Sequence, residues 1–205
     1  MKKIVICNIP MREHVTPTVY NSNDLSLPVS SKSFRYPILS FLSQTMTAAD
    51  ELKVLLLIKK DGNNFYKRNT DDFKTEMEEV LTETEATAEY VMIDTDFSQN
   101  KAIHEQLMVR LIEEIDTNSH ILADITYGPK DLPIVIFSAI AFAENHLRCE
   151  VENIIYGQAT FENNTVVKTQ ICDMSPLYYL SSVSTTIQSH DPAKARQILK
   201  SLLTL

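Results

Sequence analysis

The segment around Gly128 carries residue types that could bind an anionic ligand. A hydroxyl group (Thr126), this glycine and a lysine (Lys130) follow a short run of strand type. Glycine permits a tight backbone turn or the close approach of a ligand, and a lysine ammonium can meet a phosphate as a mobile point charge. Asp131 and Pro133 are typical of a helix start, where backbone amides and the helix dipole favour anions. An ordinary strand-to-helix turn capped by Asp131 fits the same residues, and their types alone leave both interpretations open.

The loop after the first predicted strand offers a second set of candidates: Asn8, Ile9, Pro10, Met11 and Arg12. Arg12 could grip a phosphate, Asn8 could hydrogen-bond a base or a ribose, and Met11 could pack on a base. A surface ion pair, with Glu13 or with another residue, is the alternative for Arg12. The motif Gly-x-Gly-x-x-Gly does not follow this strand, and Gly-x-x-x-x-Gly-Lys-Ser/Thr does not occur in the sequence. Dinucleotide-dehydrogenase and P-loop functions therefore lose their main support.

The histidines and cysteines form no recognisable metal or nucleophile pattern. The five histidines lack metal-ligand spacing, and the three widely spaced cysteines disfavour a disulfide framework and a zinc knuckle. We therefore expect no metal and no cofactor, and we expect His104 on a solvated helix surface. Asp94 and Asp96 could bind a cation at a strand end, but a cap for the next helix, together with Ser98, fits better.

Four nearly continuous apolar runs of strand length must position these loops: residues 3–7, 53–58, 90–94 and 121–125. Such runs are typical of parallel strands that are covered on both faces. Helical patterns with one apolar face lie between the runs, as at residues 103–115. This alternation predicts an α/β, Rossmann-like fold, in which helices flank a mainly parallel sheet. Ligands bind such a sheet at the carboxyl ends of its strands, where both candidate loops should lie.

The end of the chain predicts a C-terminal β-hairpin and a closing helix. Residues 151–156 and 165–171 have strand patterns and are joined by a turn-rich segment at residues 161–164. Asp191 followed by Pro192 is typical of a helix start. An apolar face then follows for a helix that closes the chain.

The helix expected after Pro133 is apolar on nearly every side over residues 134–143. A sheet face covers only one side of a helix, so the other side needs a second cover. A second copy of the chain would supply it and predicts a two-fold homodimer, with these candidate interface residues: Ile134, Phe137, Ser138 and Ala141. Burial by the C-terminal hairpin and helix is the alternative.

Composition and charge limit the classes of partner. Hydrophobic residues make up 44% and charged residues 22% of the 205 residues, which is ordinary for a globular protein with a proper core. The formal net charge of -8 argues against direct DNA binding and leaves room only for a small basic pocket. No apolar run approaches the length of a membrane span, and the first residues lead directly into a strand and not into a signal peptide. We therefore expect a cytoplasmic protein that does not enter a membrane.

Residues 124–133, Asp-Ile-Thr-Tyr-Gly-Pro-Lys-Asp-Leu-Pro, resemble the Asp-x-Thr-His-Gly-x-Arg-x-x-Pro signature of CARF domains, the CRISPR-associated Rossmann-fold sensors. An apolar helix follows in register. Residues 151–157 then resemble the family's Ile-x-Tyr-Gly strand, and residues 171–177 resemble its Ile-x-Asp-Leu-Thr-Pro segment. The specific part of the resemblance is confined to residues 120–180.

The resemblance implies a sensor of cyclic oligoadenylate, the second messenger of type III CRISPR interference. The ring would lie across the two-fold axis of a homodimer, which suits an even-membered ring, cyclic tetra-adenylate or hexa-adenylate. The ligand-sensing domain would cover residues 1–180, and residues 181–205 would form a helical extension that is too short for an effector domain. The chain would then be the sensor portion of a longer protein, or it would act alone or through a separate partner.

Besides the residues of the first loop, the same resemblance implies a second group of ligand-binding residues, in the segment around Gly128: Thr126, Tyr127, Gly128, Pro129, Lys130 and Asp131. Tyr127 stands where the family commonly has histidine and Lys130 where it has arginine, so the positive charge is kept but bidentate phosphate recognition is not. A metal-independent ring nuclease is the alternative, in which a ribose 2′-hydroxyl attacks the adjacent phosphate and Lys130 and Arg12 stabilise the charge. No histidine is an obvious general base for it. An unrelated nucleotide-binding α/β protein is the remaining alternative.

Overall fold

The computed structural model describes residues 1–24, 26–60, 62–96, 100–162, 165–187, 189 and 191–203. In chain order its elements are β1 (Lys2–Asn8), β2 (Thr18–Val19), β3 (Ser33–Phe34), α1 (Pro37–Thr45), β4 (Glu51–Ile58), α2 (Phe65–Thr84), β5 (Thr87–Asp94), α3 (Lys101–Glu114), β6 (His120–Asp124), α4 (Leu132–His146), β7 (Glu150–Glu162), β8 (Thr165–Asp173), α5 (Ser175–Thr186) and α6 (Pro192–Leu203). They belong to two compact units, Met1–Asp173 and Met174–Leu205.

Six strands of the first unit form one sheet in the order β5-β4-β1-β6-β7-β8. Strands β5, β4, β1, β6 and β7 are parallel, and β8 is antiparallel to β7. Three of the apolar runs lie within β1, β4 and β5, and the fourth lies in β6 except for its last residue, Ile125. The expected hairpin is formed by β7 and β8. The α/β, Rossmann-like fold expected from the sequence is therefore confirmed.

Strand β1 lies in the middle of the sheet and is covered on both faces. Every residue from Lys3 to Asn8 is buried, which explains the continuous apolar run. Helix α1 contacts α2, and α3 contacts α4. Because right-handed crossovers on the two sides of β1 place their helices on opposite faces, one helix pair covers each face of the sheet.

The order of the strands reverses at β1. The chain continues from β1 to β4 on one side and later returns to β6 on the other side. The carboxyl ends of β1 and β6 are Asn8 and Asp124, so these two residues flank the switch point of the sheet. A ligand crevice is expected at this point in an open α/β sheet.

Helix α4 buries one side only within the described part of the chain. Its buried residues are Leu132, Val135, Ile136, Ala139, Ile140 and Ala143. On the other side, Ile134 is 68% exposed and Ser138 is also exposed, whereas Phe137 and Ala141 are half-buried. The sequence predicts that this helix is buried on every side, whereas the structure leaves one side exposed. That a second copy of the chain covers this side remains a prediction.

Strand β7 extends past the expected residues 151–156 and ends at Glu162. Part of the expected turn, residues 163–164, lies outside the described residues.

In the second unit, α6 begins at Pro192 as expected, and Ala193 N donates to the capping carboxylate Oδ1 of Asp191 (2.9 Å). The functional division at residue 180 stays a prediction. Among the described residues, no helix has both the length and the apolar character of a membrane-spanning segment.

Candidate functional site

The loops that follow β1 and β6 meet through the side chain of Asn8. In the amide orientation that satisfies both of its polar atoms, Asn8 Nδ2 donates to Leu57 O (3.2 Å) and Asn8 Oδ1 accepts from Gly128 N (3.1 Å). Asn8 is 1% exposed, so solvent does not compete for these bonds. The expected ligand-binding Asn8 thus ties the two loops to each other and to β4.

Gly128 adopts a backbone conformation that side chains disfavour, with φ at +108°. A Cβ at this position would lie 2.6 Å from Leu132 Cδ2 and 3.0 Å from the Asn8 side-chain amide. The glycine is therefore required both for its positive φ and for the close approach of the two loops. It sets the turn that separates Tyr127 from Lys130.

Asp124 is a buried carboxylate that holds the base of the site. Its Oδ1 accepts from Thr126 N (2.9 Å), and its Oδ2 accepts from Ile38 N (3.2 Å) in the first turn of α1. Burial raises the pKa of Asp124 to about 6, although both hydrogen bonds favour the charged form. Asp124 thus joins the β6 loop to α1 and accepts a hydrogen bond from a backbone amide in the first turn of that helix.

Thr126 connects the same loop to β7. Its Oγ1 accepts from Gly157 N (2.7 Å). A Cβ on Gly157 would lie 2.4 Å from Pro37 Cγ and 3.2 Å from Thr126 Cγ2, so glycine lets α1 and the loop approach β7. The hydroxyl oxygen that the sequence offers to a ligand accepts a hydrogen bond from the backbone of β7.

Tyr127, which is half-buried, bridges the two loops. Tyr127 OH donates to Arg35 O (2.9 Å) and accepts from Arg12 Nη2 (3.4 Å). Arg12 Cζ also lies 5.2 Å from the centroid of the Tyr127 ring, within the range of a cation–π contact. Burial raises the pKa of Tyr127 to about 12, and the Arg12 guanidinium opposes this rise. Tyr127 is therefore a neutral phenol that orients Arg12, and Arg12 does not rely on Glu13 for its contacts.

Three predicted residues present side chains to solvent at this rim: Met11, Arg12 and Lys130. Ile9 and Pro10 are buried beneath them. The predicted residues therefore fall into a supporting group, which builds the turns, and an exposed group, which a ligand can contact.

Asp131 occupies the N-cap position of α4, as expected, but its side chain does not cap the helix. Asp131 Oδ2 lies 2.5 Å from His104 Nε2 on the neighbouring helix α3. His104 lies on the surface of α3, as expected, but its side chain is half-buried (34% exposed), because the start of α3 lies beside the start of α4. The cap of α3 is Asn100, whose side chain accepts from Ile103 N (3.0 Å). The expected contribution of Ser98 lies outside the described residues.

The cation site considered for Asp94 and Asp96 gains no support. Asp94 Oδ2 is paired with Lys60 Nζ at 3.0 Å. Within the described ranges, no group of three or more His, Cys, Asp or Glu side chains could hold a metal ion.

One residue that supports the site was not found from the sequence. Asn69, in α2, donates from Nδ2 to the carbonyl oxygens of Pro10 (2.7 Å) and Arg12 (2.9 Å). The only sequence signal is a weak helix former, Asn, inside a 20-residue helix.

The chain matches no protein-family model and no curated protein sequence.

Proposed function

We propose that this chain binds a cyclic oligoadenylate at the carboxyl ends of β1 and β6 and acts as a homodimeric sensor in type III CRISPR signalling in the cytoplasm. The observation that carries the proposal is the meeting of the two candidate loops at the switch point of the sheet, where Arg12 donates to Tyr127 OH. The position favours a nucleotide-like ligand. The resemblance of residues 124–133 to the CARF signature supplies the ligand class.

The phosphates of the ring would be met by Arg12 and Lys130, one exposed cation from each loop. A guanidinium offers a planar fork of donors to phosphate, and an ammonium adds a mobile point charge. Two such cations from each of two copies would place four positive charges around one ring. This local concentration is what a chain of net charge -8 needs to bind a polyanion.

A base of the ring would meet Met11, close to the half-buried ring of Tyr127. Met11 is 38% exposed at the tip of the first loop, and thioethers and aromatic rings form sequence-tolerant contacts with bases. Tyr127 replaces the family's usual histidine and keeps a flat ring at this point of the rim.

The second copy would dock on the open side of α4. Ile134, Ser138 and Phe142 follow one another at four-residue spacing and are all exposed. Ile134 (68% exposed) and Phe142 (36% exposed) offer apolar surface that a second copy would bury. Because α4 begins directly after the loop that carries Lys130, a two-fold axis through this side would bring both copies of the loop together.

A metal-independent ring nuclease is a second candidate, and the contact between His104 and Asp131 favours it. A carboxylate within hydrogen-bond distance of an imidazole orients it as a general base. The base would take the proton of a ribose 2′-hydroxyl, whose oxygen would attack the adjacent phosphorus. The P–O5′ bond would break, O5′ would take up a proton, and a linear product with a 2′,3′-cyclic phosphate would result.

Incubation of the purified protein with cyclic tetra-adenylate or cyclic hexa-adenylate in EDTA, followed by chromatography of the recovered nucleotide, tests the proposal. Intact ring that elutes with the protein is the expected result for a sensor. A linear product with a 2′,3′-cyclic phosphate would identify the nuclease instead. No binding of either ring would refute both candidate functions.

The site itself is tested with matched lysine variants. Lys130→Ala should lower ring affinity at least about tenfold, the scale of one lost charge-assisted contact. Lys2→Ala is the control, because Lys2 is also exposed but is the first residue of β1 and so lies at the opposite, amino-terminal ends of the strands. Unchanged affinity in Lys130→Ala, or an equal loss in Lys2→Ala, would contradict the assignment of the site.

A further inference from the structure

Asn69 is a buried polar residue that contacts the backbone of the loop carrying Arg12. It is 1% exposed, and its single side-chain amide nitrogen donates to Pro10 O and Arg12 O. The two N–H groups of one amide therefore satisfy two carbonyls that are two residues apart. This pair of bonds fixes the backbone on both sides of Met11.

Asn69 is also linked to the Tyr127 side of the rim. Tyr36 OH donates to Asn69 O (2.7 Å), and the Tyr36 ring contacts the Tyr127 ring edge-on at a centroid distance of 5.9 Å. Tyr127 OH in turn accepts from Arg12. Arg12 is thus held twice, by Asn69 at its backbone and by Tyr127 at its guanidinium.

Asparagine is a poor choice at this position for the stability of α2. Its side chain competes with the helical backbone for hydrogen bonds. Asn69 Oδ1 is buried and has no hydrogen-bond partner within the described part of the chain, which costs free energy on folding. Local departures from the most stable choice of residue are expected where a site must be positioned.

We propose that Asn69 is a positioning residue for ligand binding, which holds the first loop so that the Arg12 guanidinium meets a phosphate of the ring. The inference rests on the proposed function, because it assigns the ligand contact to Arg12. Since Asn69 acts through Arg12, its effect on affinity should vanish when the Arg12 side chain is removed.

A double-variant cycle tests this dependence with cyclic tetra-adenylate and cyclic hexa-adenylate as probes. Asn69→Ala and Arg12→Ala should each weaken binding about tenfold, and the double variant should bind no more weakly than Arg12→Ala alone. A further loss of similar size in the double variant would show a general structural role and would overturn the proposal. Should Asn69→Ala fail to fold, Asn69→Ser repeats the cycle with a polar side chain too short to span both carbonyls.

Thr70→Val is the matched control. Thr70 is the next residue of α2, it is buried, and its hydroxyl has no hydrogen-bond partner among the described residues. Its replacement should leave ring affinity unchanged. A loss equal to that of Asn69→Ala would assign the effect to the interior of α2 and not to the loop, which contradicts the proposal.

Amide hydrogen exchange of residues 9–14 in the ligand-free protein separates this inference from the proposed function. Exchange in this loop should be about tenfold faster in Asn69→Ala than in the wild type and unchanged in Thr70→Val. Faster loop exchange together with no binding of either ring by the wild type would support the positioning of the loop and refute the ligand. Unchanged loop exchange in Asn69→Ala would overturn the positioning claim whatever the ligand.

Discussion

Replacement of Gly128 by alanine perturbs the turn that joins the two loops of the candidate site. The new methyl group would meet Leu132 Cδ2 at 2.6 Å and the Asn8 side-chain amide at 3.0 Å. The leucine contact can relax in part because Cδ2 is the end of a flexible side chain. The Asn8 contact cannot relax without breaking the hydrogen bonds of Asn8 to Leu57 O and Gly128 N.

Two costs add to give the expected destabilisation. A non-glycine residue held at the φ of +108° found here costs about 1–2 kcal/mol. Crowding of a well-packed site by one methyl group costs about 1–3 kcal/mol. We therefore expect Gly128→Ala to lower the free energy of unfolding by about 3 kcal/mol.

Urea unfolding of the wild type, Gly128→Ala and Gly62→Ala measures this loss against a control. With a slope of about 2 kcal/mol per molar urea, 3 kcal/mol moves the midpoint down by about 1.5 M. Gly62 has no atom within 4 Å of a built Cβ, so its variant should stay within about 0.5 kcal/mol of the wild type. Equal stability of the two variants would refute the account of the Gly128 turn.

Two further predictions concern the base of the site and the dimer. Burial raises the pKa of Asp124 from 3.8 to about 6, so the folded chain binds this proton more tightly than the unfolded chain does. The protonated carboxyl therefore contributes to the free energy of unfolding below about pH 4, and this contribution is lost as the pH rises through about 6. The difference in unfolding free energy between the wild type and Asp124→Asn should therefore shift by about 2 kcal/mol against the wild type from pH 4 to pH 7, and a constant difference would contradict the raised pKa of Asp124. Ile134→Glu should convert a wild-type dimer to a monomer in sedimentation. Val109→Glu, at another exposed apolar position, on α3 (53% exposed), should not. A wild-type monomer at micromolar concentration would contradict the docking of a second copy on α4.

The sheet could be predicted because burial on both faces leaves a direct mark in the sequence. Residues 53–58 are apolar except for Lys53, and in β4 every residue from Val54 to Ile58 is buried. In the structure β1 and β6 are parallel neighbours, so their carboxyl ends lie side by side. The location of the two loops therefore follows from pattern and topology, while their ligand stays a proposal.

The hydrogen-bond partners at the site could not be predicted, because they lie far apart in the sequence. Asp124 accepts from Ile38 N across 86 positions, and Arg12 donates to Tyr127 across 115 positions. Hydrophobic periodicity reports which residues are buried and not which polar group meets which. For the same reason, Asn69 reads as an ordinary polar residue of α2.

The surroundings of Asp131 illustrate how a local rule succeeds in part. Its place directly before an apolar helix correctly predicts the N-cap position. Its carboxylate nevertheless contacts His104, since the first turns of α3 and α4 are adjacent. Helix-capping preferences depend on the sequence of one helix, so they do not predict that the Asp131 carboxylate contacts a side chain of the neighbouring helix α3.

Native mass spectrometry of the wild-type protein with cyclic tetra-adenylate or cyclic hexa-adenylate measures how many chains and rings form one complex. We expect a complex of two chains with a single intact ring, because each ring would be shared by Arg12 and Lys130 of both copies. Protein that binds neither ring, or that binds one ring per single chain, would contradict it.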